Sequence, residues 1–290
     1  MQQPDIPFPK SVQIKTEQNN KIIEINNRCA TAQISLFGAQ VIQFKPQHDQ
    51  RERLWLSPET KLNGTEAIRG GAPLCWPWFA NMFPATAENN TQLSSHGFLR
   101  SQLWQLTKVE DDETGTKLYF ACPQSQGEGF QFKTKVNLEV FVGATLNIAL
   151  KIENTDNQAL TFTGAIHTYF AVHDIHQVQL HGISGLYLDK TKDMNTFFTP
   201  ETYRISEEID RIHDTDSQSV VINQIDIKSR TLVEQSGHDS LVVWNPWHKA
   251  KTMTNVPDSG YLNFVCVECA ITQGKELLPT ETHVLRQTIS

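Results

Sequence analysis

Three observations predict that this chain is an all-β protein. Short runs of β-branched and aromatic residues recur along its 290 residues, and turn-forming segments such as Asp-Asp-Glu-Thr-Gly at 111–115 separate them. Apolar periodicity typical of helices is scarce, and no helices alternate with the strands. Many short strands at this spacing favour a sandwich or a barrel. No linker or fixed-period repeat divides the chain, so we expect a single domain over residues 1–290.

The predicted strands are runs in which side chains alternate between two faces. In chain order they are Lys21–Ile25, Thr31–Ile34, Ala39–Phe44, Gln105–Val109, Lys117–Ala121, Lys133–Val142, Thr145–Ile152, Leu160–Val172, Val178–His181, Ser219–Ile222, Thr231–Gln235, Ser240–Trp244 and Tyr261–Ile271.

Composition limits the classes of function. A hydrophobic content of 39% with 15 Phe and 6 Trp is enough for a large core. The net charge of −7 argues against a general nucleic-acid or membrane-surface binder. An anionic ligand would therefore have to be held by a few local cations. We expect a monomer that binds a small molecule.

The sequence also predicts a compartment. No stretch approaches the roughly 18 apolar residues of a membrane-spanning helix, and the N-terminus lacks the basic and apolar regions of a signal peptide. The five cysteines are scattered along the chain and odd in number, as expected of free thiols in a reducing environment. We therefore expect a cytoplasmic protein.

The segment Gly260–Thr272 contains a single acid within apolar sequence. Alternation along a strand places Glu268 on one face with Phe264, Cys266 and Ala270, among others. Burial would raise its pKa and make it a better proton acceptor near neutral pH. The alternative is an acid at an exposed strand end or in a structural ion pair.

The strand Leu160–Val172 has a core face and a second, more polar face. Phe162, Ile166 and Phe170 lie on the first, whereas the second carries His167 among small and polar residues. Such a face suits the floor of a groove, although a single histidine on a strand is more often a hydrogen-bonded structural residue.

Residues 66–104 form a loop rich in Gly, Pro and aromatics that cannot be a regular element. Gly70-Gly71 allows a tight turn beside Arg69, and the loop suits the lining of a ligand site. The alternative is an aromatic plug at one end of a barrel. Further on, His96 and Arg100 project to one side if their segment is extended.

Metal and redox sites are not favoured. Cys266 and Cys269 form a CxxC, but residues three apart on a strand point to opposite faces and cannot share a metal. The His-rich segment 167–181 lacks the spacing of a zinc signature. We predict neither metal nor cofactor. The charged segment 207–211 is interpreted as a solvated face, and residues 242–251 as core plus edge.

The motifs, taken together, resemble one family. In chain order they are IRGGAPLCWPWFA, SHGFLR, AIHTYF, EIDRI, VVWNPW with a following KA, and VCVE. They resemble the hexose-6-phosphate mutarotases (glucose-6-phosphate 1-epimerases) of the aldose-1-epimerase superfamily, and the match runs from about Leu54 to Glu268. The resemblance implies a galactose-mutarotase-like β-supersandwich of two large, mostly antiparallel sheets. It also implies exchange of the α and β anomers of a sugar 6-phosphate without a metal.

The resemblance also assigns roles to individual residues. His167 and Glu268 match the family's catalytic acid and base. The positions that match substrate contacts are Arg69, Ser95, His96, Arg100 and Asp210. The chain departs from the family pattern at Cys269, where Pro is common, at Ile209 before the acid, and in WPWFAN, so the exact sugar is left open.

Anomer exchange needs one general base, to take the O1 proton, and one general acid, to protonate the ring oxygen. The residues present allow this with no cofactor. Two arginines suit a phosphate dianion because they are planar, permanently charged donors. The remaining alternatives are a mutarotase for unphosphorylated aldoses such as galactose, a non-catalytic carbohydrate-binding module, and a glycoside hydrolase with two opposed carboxylates.

Overall fold

The computed structural model describes residues 6–82, 93–215 and 217–290. Over these ranges the chain forms 21 strands, and its helical segments are short 3-10 turns. In chain order the strands are β1 Val12–Glu17, β2 Asn20–Asn26, β3 Ala30–Ser35, β4 Gln40–Pro46, β5 Leu74–Cys75, β6 Gln105–Asp111, β7 Gly115–Ala121, β8 Thr134–Gly143, β9 Leu146–Asn154, β10 Leu160–Ile166, β11 Tyr169–Ala171, β12 Val178–His181, β13 Leu186–Asp189, β14 Asn195–Phe198, β15 Tyr203–Arg204, β16 Ile209–Asp214, β17 Ser219–Gln224, β18 Ser229–Ser236, β19 Ser240–Asn245, β20 Phe264–Leu277 and β21 Thr282–Ile289.

The strands form three antiparallel sheets. A nine-stranded sheet has the order β15-β12-β17-β18-β21-β9-β8-β7-β6, and an eight-stranded sheet has the order β14-β13-β16-β19-β20-β10-β5, with β11 also paired to β20. The all-β prediction with two large sheets is confirmed. A third sheet, β1-β2-β3-β4, accompanies them.

A hydrophobic core lies between the two large sheets. The eight-stranded sheet contributes residues such as Val267 from β20 and Phe162 from β10, and the nine-stranded sheet contributes Leu138 and Leu285. The other face of β20 carries Cys266, which belongs to a separate aromatic cluster. The two faces of β20 therefore have different surroundings, as alternation predicts.

Two predicted strands differ in detail from the observed ones. The run Tyr261–Ile271 begins as a strand only at Phe264, because Gly260–Asn263 is a 3-10 turn. The run Leu160–Val172 is interrupted at His167 and Thr168, between β10 and β11. The backbone N–H of His167 donates instead to the carbonyl of Pro73, at 2.9 Å.

Two interpretations of polar or aromatic segments are wrong. The segment 207–211 is not a solvated face, because Ile209 and Arg211 are buried on β16, an internal strand of the eight-stranded sheet. The segment 242–251 is not an edge, because β19 lies between β16 and β20. The first misassignment arises because Arg211 is neutralised by Asp189, a partner from another strand that no local pattern reveals.

Candidate active site

A cavity of about 340 Å³ brings together all seven residues that the sequence singled out. Its lining includes Arg69, Ser95, His96, Arg100, His167, Asp210 and Glu268. Four of them come from the loop 66–104, Asp210 and Glu268 come from strands β16 and β20, and His167 lies in the gap between β10 and β11. A shared cavity is the first requirement for the roles that the resemblance implies.

The two ionisable groups predicted for catalysis face each other. Nε2 of His167 lies 3.4 Å from Oε1 of Glu268, and the two side chains are 9% and 1% exposed. No described residue hydrogen-bonds Nδ1 of His167 or Oε2 of Glu268. Buried polar atoms without a partner are rare, and a catalytic site is one setting in which they occur.

Burial moves the pKa values of this pair in opposite directions. The pKa of Glu268 is raised well above its ordinary value, first by desolvation and then by the negative charge of Asp210. The pKa of His167 is lowered, first by desolvation; repulsion from a charged His96 ring in acid, and from the guanidinium groups of Arg100 and Arg69, lowers it further. Perturbed groups that meet in one cavity are typical of an acid/base site.

The His167 ring is held by aromatic contacts. It stacks on Tyr169 with a centroid distance of 5.0 Å and an interplanar angle of 9°. It also meets the rings of Trp244 and His96 edge to face, at 5.8 and 5.4 Å. This packing fixes the orientation of the imidazole.

The structure assigns a tautomer to His96. Its Nδ1 accepts a hydrogen bond from the backbone N–H of Ala80 at 3.2 Å, and its own backbone N–H donates to the Ala80 carbonyl at 2.8 Å. Desolvation and the nearby cations lower its pKa to about 3, so the ring is neutral near pH 7. The proton of this neutral ring therefore resides on Nε2, which is a donor.

Tight backbone packing positions the residues next to two glycines. A Cβ on Gly70, at φ +112°, would lie 2.4 Å from the carbonyl oxygen of Trp55. A Cβ on Gly97, at φ +67°, would lie 2.0 Å from that of Trp76. These close approaches fix the neighbouring Arg69 and His96, and His96 itself has φ +68°, an uncommon value that is often found at functional sites.

The two alternatives for the loop 66–104, an aromatic plug and the lining of a ligand site, apply to different residues of it. Trp76 and Trp78 are buried in the main core, as an aromatic plug would be, whereas Phe79 lines the cavity. His96 and Arg100 do not lie in an extended segment, since Leu99–Ser101 is a 3-10 turn, yet both reach the cavity. Residues 83–92 of the loop lie outside the described residues.

Two arginines and one lysine give the cavity its positive charge. Nη1 of Arg69 donates to the Tyr169 hydroxyl at 3.2 Å, and Nη2 of Arg100 donates to the Ser95 carbonyl at 2.9 Å. Nζ of Lys190 lies 2.9 Å from Oδ2 of Asp210. Each of these bonds uses only part of the donor capacity, so N–H groups are left for an anionic ligand.

Sequence reasoning missed Lys190, Tyr169, Trp244 and Met253 as lining residues. Lys190 follows β13, a strand that was not predicted, and its only signal was a charge among other charges. Tyr169 lies two residues after His167, so alternation along the predicted strand Leu160–Val172 puts both on one face, and this was the available signal for it. Trp244 lines the cavity from β19, which is a central strand and not an edge.

Three potential metal-ligand atoms meet at the cavity. The ligand atoms of His167, Cys266 and Glu268 all lie within 4.8 Å of one another. Burial raises the pKa of the Cys266 thiol well above its ordinary value, although metal binding needs the thiolate. The cations lining the cavity would also repel a metal ion. Absence of a metal thus stays our prediction.

Two histidines of the His-rich segment hydrogen-bond to carboxylates at the surface. Nδ1 of His173 lies 2.6 Å from Asp226, and Nδ1 of His176 lies 2.7 Å from Asp174. Within the described part of the chain, the metal-compatible group found includes neither of them nor His181. These residues therefore give no reason to revise the prediction.

Comparison with known proteins assigns this fold and its cavity to a class of enzyme. The model of the family "Aldose 1-epimerase" matches residues 21–290, and the chain belongs to this family. It is thus an isomerase of the epimerase class, as the sequence motifs implied.

Several relatives cover most of the chain. A protein of Escherichia coli K12 named "Putative glucose-6-phosphate 1-epimerase" is 32% identical over 253 residues, which is 86% of this chain and 82% of that protein. One of the same name from Cenchrus ciliaris is 29% identical, over 91% of this chain and 82% of its own. The solved structure of a mutarotase, described as "putative", from Salmonella typhimurium superimposes with a TM-score of 0.89 at 28% identity, covering 98% and 94% of the two chains.

Proposed function

We propose that this epimerase interconverts the α and β anomers of glucose 6-phosphate. The observation that carries the proposal is the buried His167–Glu268 pair in a cavity that also presents two guanidinium groups. The names of the relatives from E. coli and Cenchrus ciliaris support the same substrate.

The reaction uses the pair in sequence. Glu268 as the carboxylate removes the proton from O1, and His167 protonates the ring oxygen, so that the C1–O5 bond breaks and an open-chain aldehyde forms. Rotation about C1–C2 presents the other face of the carbonyl. Ring closure then reverses both proton transfers, so no proton or electron is gained or lost overall. Each general acid or base contributes typically about 10²–10⁴ in rate.

The substrate itself would prepare His167 to act as the acid. In the free enzyme the charges of Arg69 and Arg100 help to lower the pKa of His167. A phosphate dianion held by the same guanidinium groups cancels those charges, so the pKa of His167 rises toward its ordinary value. A phosphorylated sugar is thereby favoured over a neutral one at the chemical step as well as in binding.

The remaining cavity residues hold the sugar ring. His96 donates from Nε2 to an oxygen that gains charge as the ring opens. Asp210 orients a hydroxyl group while Lys190 neutralises it, and the Ser95 carbonyl aligns Arg100. No step needs a cofactor or a metal.

The test is two-dimensional exchange NMR on glucose 6-phosphate with and without the protein, beside galactose as a neutral sugar. We expect faster α/β exchange of the phosphate alone, and loss of this effect in His167→Ala. Exchange of galactose alone would keep the acid/base pair but contradict the phosphate site. Binding without faster exchange would instead favour a non-catalytic carbohydrate-binding module.

We also propose that the enzyme is a single-domain protein of the cytoplasm. One hydrophobic cluster includes residues of all three sheets, for example Ile23, Leu138 and Val267, which supports a single domain over 1–290. All five cysteines are free thiols, which supports the cytoplasm. No described helix is long and apolar enough to span a membrane. We further propose that the enzyme acts as a monomer.

A further inference from the structure

A buried glutamine of the opposite sheet contacts the backbone segments that carry the catalytic pair. Gln287 lies on β21 of the nine-stranded sheet and is fully buried. Its neighbours on the same face of β21, Leu285 and Ile289, are apolar core residues. An amide in such a row destabilises the fold unless its polar atoms are hydrogen-bonded.

Both polar atoms of the Gln287 side chain are hydrogen-bonded across the core. Oε1 of Gln287 accepts a short hydrogen bond from the hydroxyl of Thr168. Nε2 donates to the carbonyl of Val267 at 3.1 Å. Thr168 directly follows His167, and Val267 directly precedes Glu268. The Gln287 side chain is therefore hydrogen-bonded to a residue adjacent to His167 and to a residue adjacent to Glu268.

The two hydrogen bonds of Gln287 lie where the pairing of β20 with β10 and β11 is interrupted. Pairing of β10 with β20 ends at Ile166–Cys269, and pairing of β11 with β20 begins at Tyr169–Cys266. Within this gap a backbone hydrogen bond of 3.3 Å joins Val267 to Thr168. Strand β20 is held on its other side by β19, through the pairs Val243–Val267 and Val242–Glu268. Fewer ladder bonds join β20 to the His167 segment, and the Gln287 amide adds a side-chain link between the two.

We infer that Gln287 is a positioning residue, which acts from the core side of the sheet to hold His167 and Glu268 at their 3.4 Å separation. It contacts neither the cavity nor the substrate. This inference rests on the proposed function, since the pair it positions is the proposed acid and base. A displacement on the order of 1 Å at a reacting centre lowers the rate about 10²-fold.

The test compares Gln287→Leu with a matched control, Gln224→Leu. Gln224 is also a buried glutamine of the nine-stranded sheet, and its Oε1 accepts from the backbone N–H of His173, beyond the end of β11. Both changes remove hydrogen bonds of a buried side-chain amide, so both should lower Tm. Exchange NMR at several glucose 6-phosphate concentrations gives kcat and KM separately.

We expect Gln287→Leu to lower kcat by at least tenfold and to change KM by less than twofold, because it does not contact the residues of the phosphate site. We expect Gln224→Leu to leave kcat within twofold. Unchanged kcat in Gln287→Leu, or an equal loss in both variants, would overturn the inference.

A second pair of variants covers the case in which Gln287→Leu does not fold. Thr168→Val removes the hydroxyl that bonds Gln287 and keeps the shape of the side chain, whereas Thr168→Ser keeps the hydroxyl. We expect Thr168→Val to lose kcat and Thr168→Ser to recover most of it. Equal kcat in the two variants would contradict the role of this bond.

A crystal structure of Gln287→Leu, or of Thr168→Val if the first does not fold, gives a readout that is independent of activity. We expect a longer distance between Nε2 of His167 and Oε1 of Glu268 than in the wild-type protein. If the wild-type protein fails to exchange any aldose, the proposed function is wrong, and this distance alone decides the inference. An unchanged distance would overturn it.

Discussion

The strongest consequence of the site geometry is that Glu268→Gln should remove activity and yet make the protein more stable at neutral and alkaline pH. The side chain is 1% exposed, and its pKa is raised by desolvation and by Asp210. The amide has nearly the same shape but can neither take a proton nor carry a charge. Loss of one general base lowers the rate by about 10²–10⁴, which corresponds to roughly 3–5 kcal/mol of activation free energy.

The sign of the stability change follows from proton linkage. Below the ordinary carboxyl pKa of 4.5 the side chain is protonated in both folded and unfolded states, so ionisation gives no difference between the two proteins. As the pH rises, the unfolded state releases its proton first. The wild-type protein then loses stability until the pH passes the raised pKa of the folded state. The stability gain of Glu268→Gln should therefore grow from about pH 5 upward.

The assay combines exchange NMR on glucose 6-phosphate with urea unfolding at pH 5 and pH 8. Glu139→Gln is the control, because Glu139 is 39% exposed and pairs with Lys117 on the nine-stranded sheet. It should leave the rate unchanged and show no such gain. More than a tenth of the wild-type rate in Glu268→Gln would place the base elsewhere. Lower stability at pH 8 than wild type would refute the burial argument.

Four further predictions concern the rest of the cavity. Arg100→Ala should raise KM for glucose 6-phosphate about 10- to 100-fold, as expected for a charged hydrogen bond, and leave a neutral aldose unaffected; equal effects in steady-state kinetics would remove the phosphate assignment. Lys190→Met should also raise that KM, whereas Lys192→Met, at an exposed ion pair, should not; equal KM values would exclude Lys190 from the site. His96→Ala should lower kcat roughly 10²-fold. It should not move the pH profile of kcat between pH 5 and 9, because an imidazole with a pKa of about 3 is neutral throughout this range. A shifted profile would show that His96 titrates within it. Inorganic phosphate should raise the pKa of His167 in NMR titrations, and no rise would contradict the role of the substrate charge.

Sequence alone predicted the elements in which local pattern and tertiary role agree. β8, β9 and β20 are apolar on their core faces, so alternation located them and placed Glu268 on the correct face. β16 was missed, because its acids and arginine suggested solvent. Those charges are in fact held by partners that are distant in the chain, such as Asp189 for Arg211. No local pattern reveals such a partner.

The same limit applies to the site. The motifs gave His167, Glu268 and both arginines, since each lies in a distinctive local sequence. Lys190 lies in no such sequence, and only the pairing of β13 with β16 brings it to Asp210. Residues whose roles depend on strand pairing are thus the ones that sequence reasoning failed to find.

The division of roles between the two faces of β20 explains why a costly acid persists there. On the cavity face, Glu268 is buried and its charged form is destabilised. This lowers the stability of the fold but makes the carboxylate a stronger base. On the core face, Val267 and its neighbours pack against the nine-stranded sheet and anchor the strand. A strand held firmly from one side can carry a strained electrostatic arrangement on the other, because the core contacts offset the loss. Weakening the core face should therefore lower kcat before it unfolds the protein.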